Sequence, residues 1–143
     1  MASMPLVLTI NESTASGHKY NDKLGVSYEY PTIYRNVIQT GEHFIYYRGS
    51  RGRHDERITP AYLGTGVIGK ISASQLVSDC LVCEIVDYEP FPIALPFKDS
   101  ADRPFEPGGE AGGRFYQKGV RKITEDVLAR IKAEAAWLAR AAM

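Results

Sequence analysis

Four groups of residues in this 143-residue chain could do chemistry, and their spacing sorts them. Cys80 and Cys83 have the C-x-x-C spacing of half a zinc site. There is no further cysteine, and the three histidines (His18, His43 and His54) are scattered, so the other ligand pair is missing. On a strand, positions i and i+3 also point to opposite faces. The two thiols therefore read as structural, and no metal is expected. Gly64-Thr65-Gly66 with Gly69 echoes a phosphate-binding loop, but no lysine-serine pair follows and the run reads as strand. Glu84, Asp87 and Glu89, with Lys98 downstream, form the close carboxylate cluster and superficially suggest a nuclease. The strand pattern and the prolines around them do not support a coherent acid-acid-lysine site. No nucleophile elbow or oriented histidine is present either, so no catalytic residue and no cofactor are expected.

Tyrosines give the stronger signal. There are nine, against five phenylalanines and one tryptophan, and five of them (Tyr28, Tyr30, Tyr34, Tyr46, Tyr47) crowd the stretch from Gly25 to Gly49. A tyrosine at a strand end is commonly a core residue with a wet hydroxyl, and Tyr34 and Tyr46 read that way. Tyr28, Tyr30 and Tyr47 instead adjoin loops and a segment carrying Arg48, Arg51, Arg53 and Arg57. A stacking slot with polar tips and a cationic rim suits a flat, partly polar ring on a phosphate backbone, that is, a nucleobase. The same arginines, taken alone, fit a solvated loop equally well.

The elements that must position these groups follow from pattern. Leu6 to Ile10 reads as a first strand, and Asn11 to Lys23 as an irregular polar segment. Pro31 presets the first turn of a short helix, with Ile33 and Val37, then Tyr34 and Ile38, at i,i+4, and Thr40-Gly41 stops it. His43 to Arg48 follows as a strand apolar on both faces, which suits a small closed barrel with Tyr28 and Tyr47 meeting across a pocket. Ala61 to Ile71 is a glycine-punctuated strand, Leu81 to Tyr88 another, ended by Pro90. Phe91 to Phe97 is extended at an edge or bulge, and Asp99 to Gly113 a mobile loop. Thr124 is a helix N-cap with Glu125 and Asp126 in the first turn; Val127, Ile131 and Leu138 lie along one stripe and Trp137 packs.

Composition narrows the classes. The length suits one domain spanning 1–143, with no internal boundary and no repeats. No run of about 18 apolar residues exists to span a membrane, and the N-terminus lacks a signal-peptide pattern. Two cysteines without extracellular context point to the cytoplasm. A net charge of zero argues against bulk polyanion binding and shifts attention to where the cations lie.

The blocks GVSYEYPTIYRNVIQTGEHFIYYRG, PAYLGTGVIGKI, CEIVDYEPFPIALPFK and GVRKIT occur in this order. In them the chain resembles an EVE-type domain of the PUA-like superfamily, and more narrowly the N-terminal reader of modification-dependent restriction endonucleases with an HNH nuclease. The resemblance runs from about Leu6 to Ile131. It implies an α+β fold, a twisted small β-barrel flanked by helices, with a pocket for a modified cytosine flipped out of double-stranded DNA. Carried over by position, Asn11 touches the base edge, while Ser27 and Tyr28 form the first pocket wall and its hydrogen bonder. Tyr47 and Arg48 stand where the family pattern has a tyrosine-histidine pair, so the arginine is a departure.

The expected pocket is thus Asn11, Ser27, Tyr28, Tyr30, Tyr47 and Arg48, with Arg51, Arg53, Arg57, Lys118 and Arg121 on the DNA backbone. A tyrosine slot tolerates polar or bulky substituents, which favours hydroxymethylated or otherwise enlarged cytosine over a bare methyl group. The alternatives are a PUA-like RNA reader of modified or unpaired bases, and a small-molecule or protein-interaction domain with an inert arginine loop. No HNH arrangement is present, so the chain is expected to bind without cleaving. Its alanine-rich last helix suggests a nuclease domain following in cis.

Overall fold

The structure is a computed structural model that describes residues 4–10, 24–49, 57–75, 78–116 and 118–142. Six strands form one sheet: β1 (Leu6–Ile10), β2 (Ser27–Pro31), β3 (His43–Arg48), β4 (Ala61–Ala73), β5 (Cys80–Pro96) and β6 (Val120–Lys122). Their order is β2-β5-β4-β3-β1-β6. β1 and β3 run parallel, with Leu6 opposite Phe44 and Thr9 opposite Tyr47, and every other pairing is antiparallel. A one-turn helix α1 (Gly113–Tyr116) precedes β6, and the long helix α2 (Glu125–Ala141) closes the chain. The fold is mixed α+β, a curled six-strand half-barrel with one long C-terminal helix.

Strand alternation gives the sheet two buried faces. Leu6, Leu8, Tyr28, Tyr30, Phe44 and Tyr46 belong to a first core cluster. Val7, Ile45, Tyr47 and Tyr62 belong to a second, which α2 covers with Leu128, Ile131 and Ala135. Thr124 caps α2 as its spacing predicts, its hydroxyl accepting from the Val127 N–H at 3.2 Å.

The sheet curls because β5 is bulged against β4. Thr65 faces Glu89 and Val67 faces Val86, so Asp87 and Tyr88 together oppose Gly66. Asp87 takes φ 53°, a left-handed conformation that an aspartate tolerates better than most residues. The bulge turns Tyr88 inward, edge-on to Tyr46 with centroids 5.3 Å apart. Gly64 and Gly66 make room: a Cβ on Gly64 would lie 2.6 Å from the Glu89 carbonyl oxygen, and one on Gly66 2.7 Å from the Phe44 ring.

Several sequence expectations are corrected. The helix after Pro31 is a single 3-10 turn, Thr32–Tyr34, followed by turns. Thr32, Ile33, Val37 and Ile38 are β-branched and hold an α-helix poorly; Ile38 is buried while Ile33 is 75% exposed. Pro90 does not end a strand. β5 runs through it to Pro96, because β2 pairs with β5 only from Cys80 to Glu84 and leaves the later edge free of ladder partners among the described residues. Among the described residues the small barrel is a half-barrel in its backbone pairing, with β2 and β6 as the ends of the sheet. The segment from Asp99 to Gly113 is no loose loop, since Phe105 and Glu106 are buried in it. Trp137, expected to pack, is 59% exposed on α2.

Candidate functional site

The tyrosines divide between the faces, and the division decides what each can do. On the first face Tyr28 and Tyr30 project from β2 with stacked rings, centroids 6.2 Å apart at 21°. Phe44 and Tyr46 come from β3, ring edge against face at 4.9 Å. Leu6, Leu8, Ile38, Ile68, Ile85, Val120 and Cys83 pack with these rings. The tyrosine hydroxyls are used differently. The Tyr46 Oη accepts from the Gly25 N–H at 3.1 Å, at a glycine whose φ of 77° suits the turn entering β2. The Tyr28 hydroxyl donates to the Thr9 carbonyl at 2.9 Å. The Tyr30 Oη is buried without a hydrogen-bond partner among the described residues. Burial, and secondarily the neighbouring Cys83, pushes the Tyr30 hydroxyl up to about 12, so it is a neutral phenol at physiological pH.

The Tyr28–Thr9 bond has a topological meaning. β2 is one end of the sheet and β6, beside β1, the other, and no ladder joins the two ends among the described residues. The Tyr28 side chain spans this seam. Beside it the Thr9 N–H donates to the Gly119 carbonyl at 2.8 Å, and the Tyr34 ring lies against Gly119. Lys118 and Arg35 are both exposed next to these residues in sequence.

On the second face Tyr47, Tyr62 and Tyr116 surround a buried ion pair. Arg121, 5% exposed, donates from Nε to Glu106 Oε1 at 2.8 Å and from Nη2 to Glu106 Oε2 at 3.0 Å. Its Nη1 reaches the Lys118 carbonyl at 3.0 Å and the Thr9 hydroxyl at 3.2 Å. The Tyr62 hydroxyl donates to Glu106 Oε2 at 2.6 Å. The guanidinium lies over the rings of Tyr47, Tyr116 and Phe115 at 4.7, 5.2 and 5.4 Å. Tyr47 and Tyr116 stack at 5.4 Å. Burial holds the hydroxyls of Tyr47 and Tyr62 far above the usual phenol range and pushes Tyr116 up to about 12.

Against these two faces the expected site residues fall as follows. Tyr28 and Tyr30 are brought together; Tyr47 is not with them, because β3 turns it to the opposite cluster. Ser27, half-buried, begins β2 beside Tyr28. Arg48 ends β3, its Nη2 donating to the Thr59 carbonyl at 3.1 Å while its Nε is buried without a partner among the described residues. Lys118 and Arg57 are exposed, as a backbone-binding role requires. Arg121 is spent on Glu106 and lies inside the molecule. Asn11, Arg51 and Arg53 lie outside the described residues.

Sequence reasoning missed Glu106, Tyr62 and Thr9. Only the aromatic Phe105 fixed between Pro104 and Pro107 hinted that this polar stretch was anchored. Cys80 and Cys83 are free thiols, and no metal-holding group of side chains occurs among the described residues. No helix of the described residues is long and apolar enough to cross a membrane.

No protein-family model matches the chain, and no curated protein matches it. Two solved structures share its architecture. The N-terminal domain of Staphylothermus marinus McrB aligns with a TM-score of 0.53 at 11% identity, over 90% of this chain and 93% of that domain. A structural-genomics protein from Pseudomonas putida aligns with a TM-score of 0.54 at 15% identity, over 92% of this chain and 99% of that one. At these identities the likeness is one of fold, a mixed α+β small barrel similar to the N-terminal domain of an McrB protein.

Proposed function

We propose that this chain is a DNA-binding module that recognises a modified cytosine, hydroxymethylated or otherwise enlarged, flipped out of duplex DNA into the first tyrosine cluster. The observation that carries this reading is the seam between β2 and β1, spanned by the Tyr28 side chain rather than by a backbone ladder. A flat ring that displaces the Tyr28 hydroxyl from Thr9 enters among aromatic and aliphatic side chains. Flipping costs a few kcal/mol, and stacking at about 1–3 kcal/mol per base offsets it. Ser27, which begins β2 beside Tyr28, and Asn11 read the base edge. Lys118 with Arg51, Arg53 and Arg57 holds phosphates.

The second face supports the site from behind. Tyr47, Arg121 and Glu106 lock β6 and β1 together, so their part is to fix the far wall of the seam. Arg48 braces the end of β3 through Thr59. The sequence resemblance and the fold likeness to the McrB N-terminal domain both favour a reader over a catalyst, with a nuclease in cis completing a modification-dependent restriction enzyme.

The test is binding of short duplexes carrying cytosine, methylcytosine, hydroxymethylcytosine or glucosylated hydroxymethylcytosine at two salt concentrations. Salt-sensitive binding with preference for one modified duplex, abolished by Tyr28→Ala, is the expected result. Equal affinity for all duplexes, or an unchanged preference in Tyr28→Ala, overturns it; tighter binding to matched RNA moves the reading to an RNA module.

A further inference from the structure

Three buried tyrosines belong to the first cluster, and two of their hydroxyls are already committed: Tyr46 to the Gly25 N–H and Tyr28 to the Thr9 carbonyl. The third, Tyr30 Oη, is not. Its residue is 1% exposed and the oxygen has no hydrogen-bond partner among the described residues. Leaving a buried hydroxyl unpaired is unfavourable, and phenylalanine would fill the same space without that cost. Two other buried polar atoms lack partners, but neither offers the same thing. Tyr116 Oη stands against Gly109 on the ionic face, and Arg48 Nε belongs to a guanidinium already anchored at Thr59.

We infer that the Tyr30 hydroxyl is the specificity-determining group of the base site, and that it selects a cytosine bearing a neutral, hydrogen-bonding substituent, a hydroxymethyl group, over one bearing a methyl group. This rests on the modified-base reading and sharpens it. Tyr30 follows Tyr28 by two residues on the same face of β2, with its ring stacked 6.2 Å away, so a base received beside Tyr28 lies within reach of the Tyr30 side chain. A phenol and an alcohol can each donate and accept, so a hydroxymethyl group satisfies both oxygens in one bond. A methyl group leaves the phenol unpaired. A carboxylate substituent would be buried beside a desolvated phenol and is disfavoured. The high pKa of the phenol keeps it neutral and able to donate throughout the physiological range.

The experiment measures the affinity of the parent chain and of Tyr30→Phe for three duplexes, carrying one cytosine, methylcytosine or hydroxymethylcytosine, at fixed salt. The parent is expected to favour hydroxymethylcytosine over methylcytosine by about tenfold or more. Tyr30→Phe is expected to lose that ratio through weaker hydroxymethylcytosine binding, with methylcytosine binding unchanged or tighter. It should also melt at or above the parent temperature, since it sheds an unpaired hydroxyl. A Tyr30→Phe variant that keeps the parent's ratio overturns the inference alone, as does a parent that prefers methylcytosine; in both cases the modified-base reading stands. A parent that binds all three duplexes alike overturns both. A variant that melts well below the parent shows that the hydroxyl is already bonded and removes the premise.

Discussion

Tyr46 and Tyr47 are neighbours in sequence, yet they end in two different kinds of interior. Tyr46 joins a face of aromatic and aliphatic groups, its hydroxyl accepting from the Gly25 N–H. Tyr47 joins a face organised by a bidentate arginine–glutamate pair and three aromatic rings over the guanidinium. A buried charge must keep its partner, so the second face is closed to ligands that would compete for Arg121 or Glu106. The first face has no ion pair of that kind among the described residues, and it is the face to which the proposed reading assigns the base. The difference between these two neighbouring tyrosines comes from strand alternation.

The sharpest way to break the comparison is to empty the ionic face of one partner. Glu106→Ala strands Arg121 in the interior and should cost about 3–5 kcal/mol of stability in denaturant titration. The double replacement Glu106→Leu with Arg121→Met should recover much of that loss; a double variant as unstable as the single would mean the pair is not the cause. High pH probes both faces at once. Tyr30 and Tyr116 hold their protons in the folded chain up to about 12, whereas unfolded tyrosine ionises near 10, so the folded state binds more protons between those values. Stability should be intact below about pH 10 and fall above it, by up to about 1.4 kcal/mol per pH unit for each such group. Loss beginning well below that pH would point to other groups.

The bulge that aims Tyr88 is tested by Gly64→Ala, whose new methyl meets the backbone of β5. About 1–3 kcal/mol of destabilisation is expected, read as a lowered melting temperature. Tyr28→Phe removes the bond to the Thr9 carbonyl and should cost about 0.5–1.5 kcal/mol, with faster amide hydrogen exchange in β2 than in β4. Equal protection of both strands would show that the seam does not depend on it. Trp137→Ala, far out on α2, should change stability by less than about 0.5 kcal/mol.

Local rules made several parts of this chain legible from sequence. The alternation in HFIYYR announced a strand buried on both sides, Thr124 with two acids after it announced a helix start, and the glycines of β4 announced close backbone approach. Each depends on residues a few positions apart. Three other features depend on partners more than ten residues distant. The pairing of Glu106 with Arg121 and Tyr62 made an apparent loop into core, because a lone carboxylate in a Pro/Gly-rich stretch carries no sign of what it will meet. Parallel pairing of β1 with β3 put Thr9 where Tyr28 could reach it across the seam. Separation of Tyr28 from Tyr47 followed from which strand lies where in the sheet, a global order that periodicity within one strand does not encode. Sequence determined the strands β1 and β3, the start of the last helix and the weight of tyrosine in the interior, because each rests on residues a few positions apart; tertiary structure decided which tyrosines share a face, that Phe105, Glu106 and Arg121 are buried, and that the Tyr30 and Tyr116 hydroxyls lack partners among the described residues.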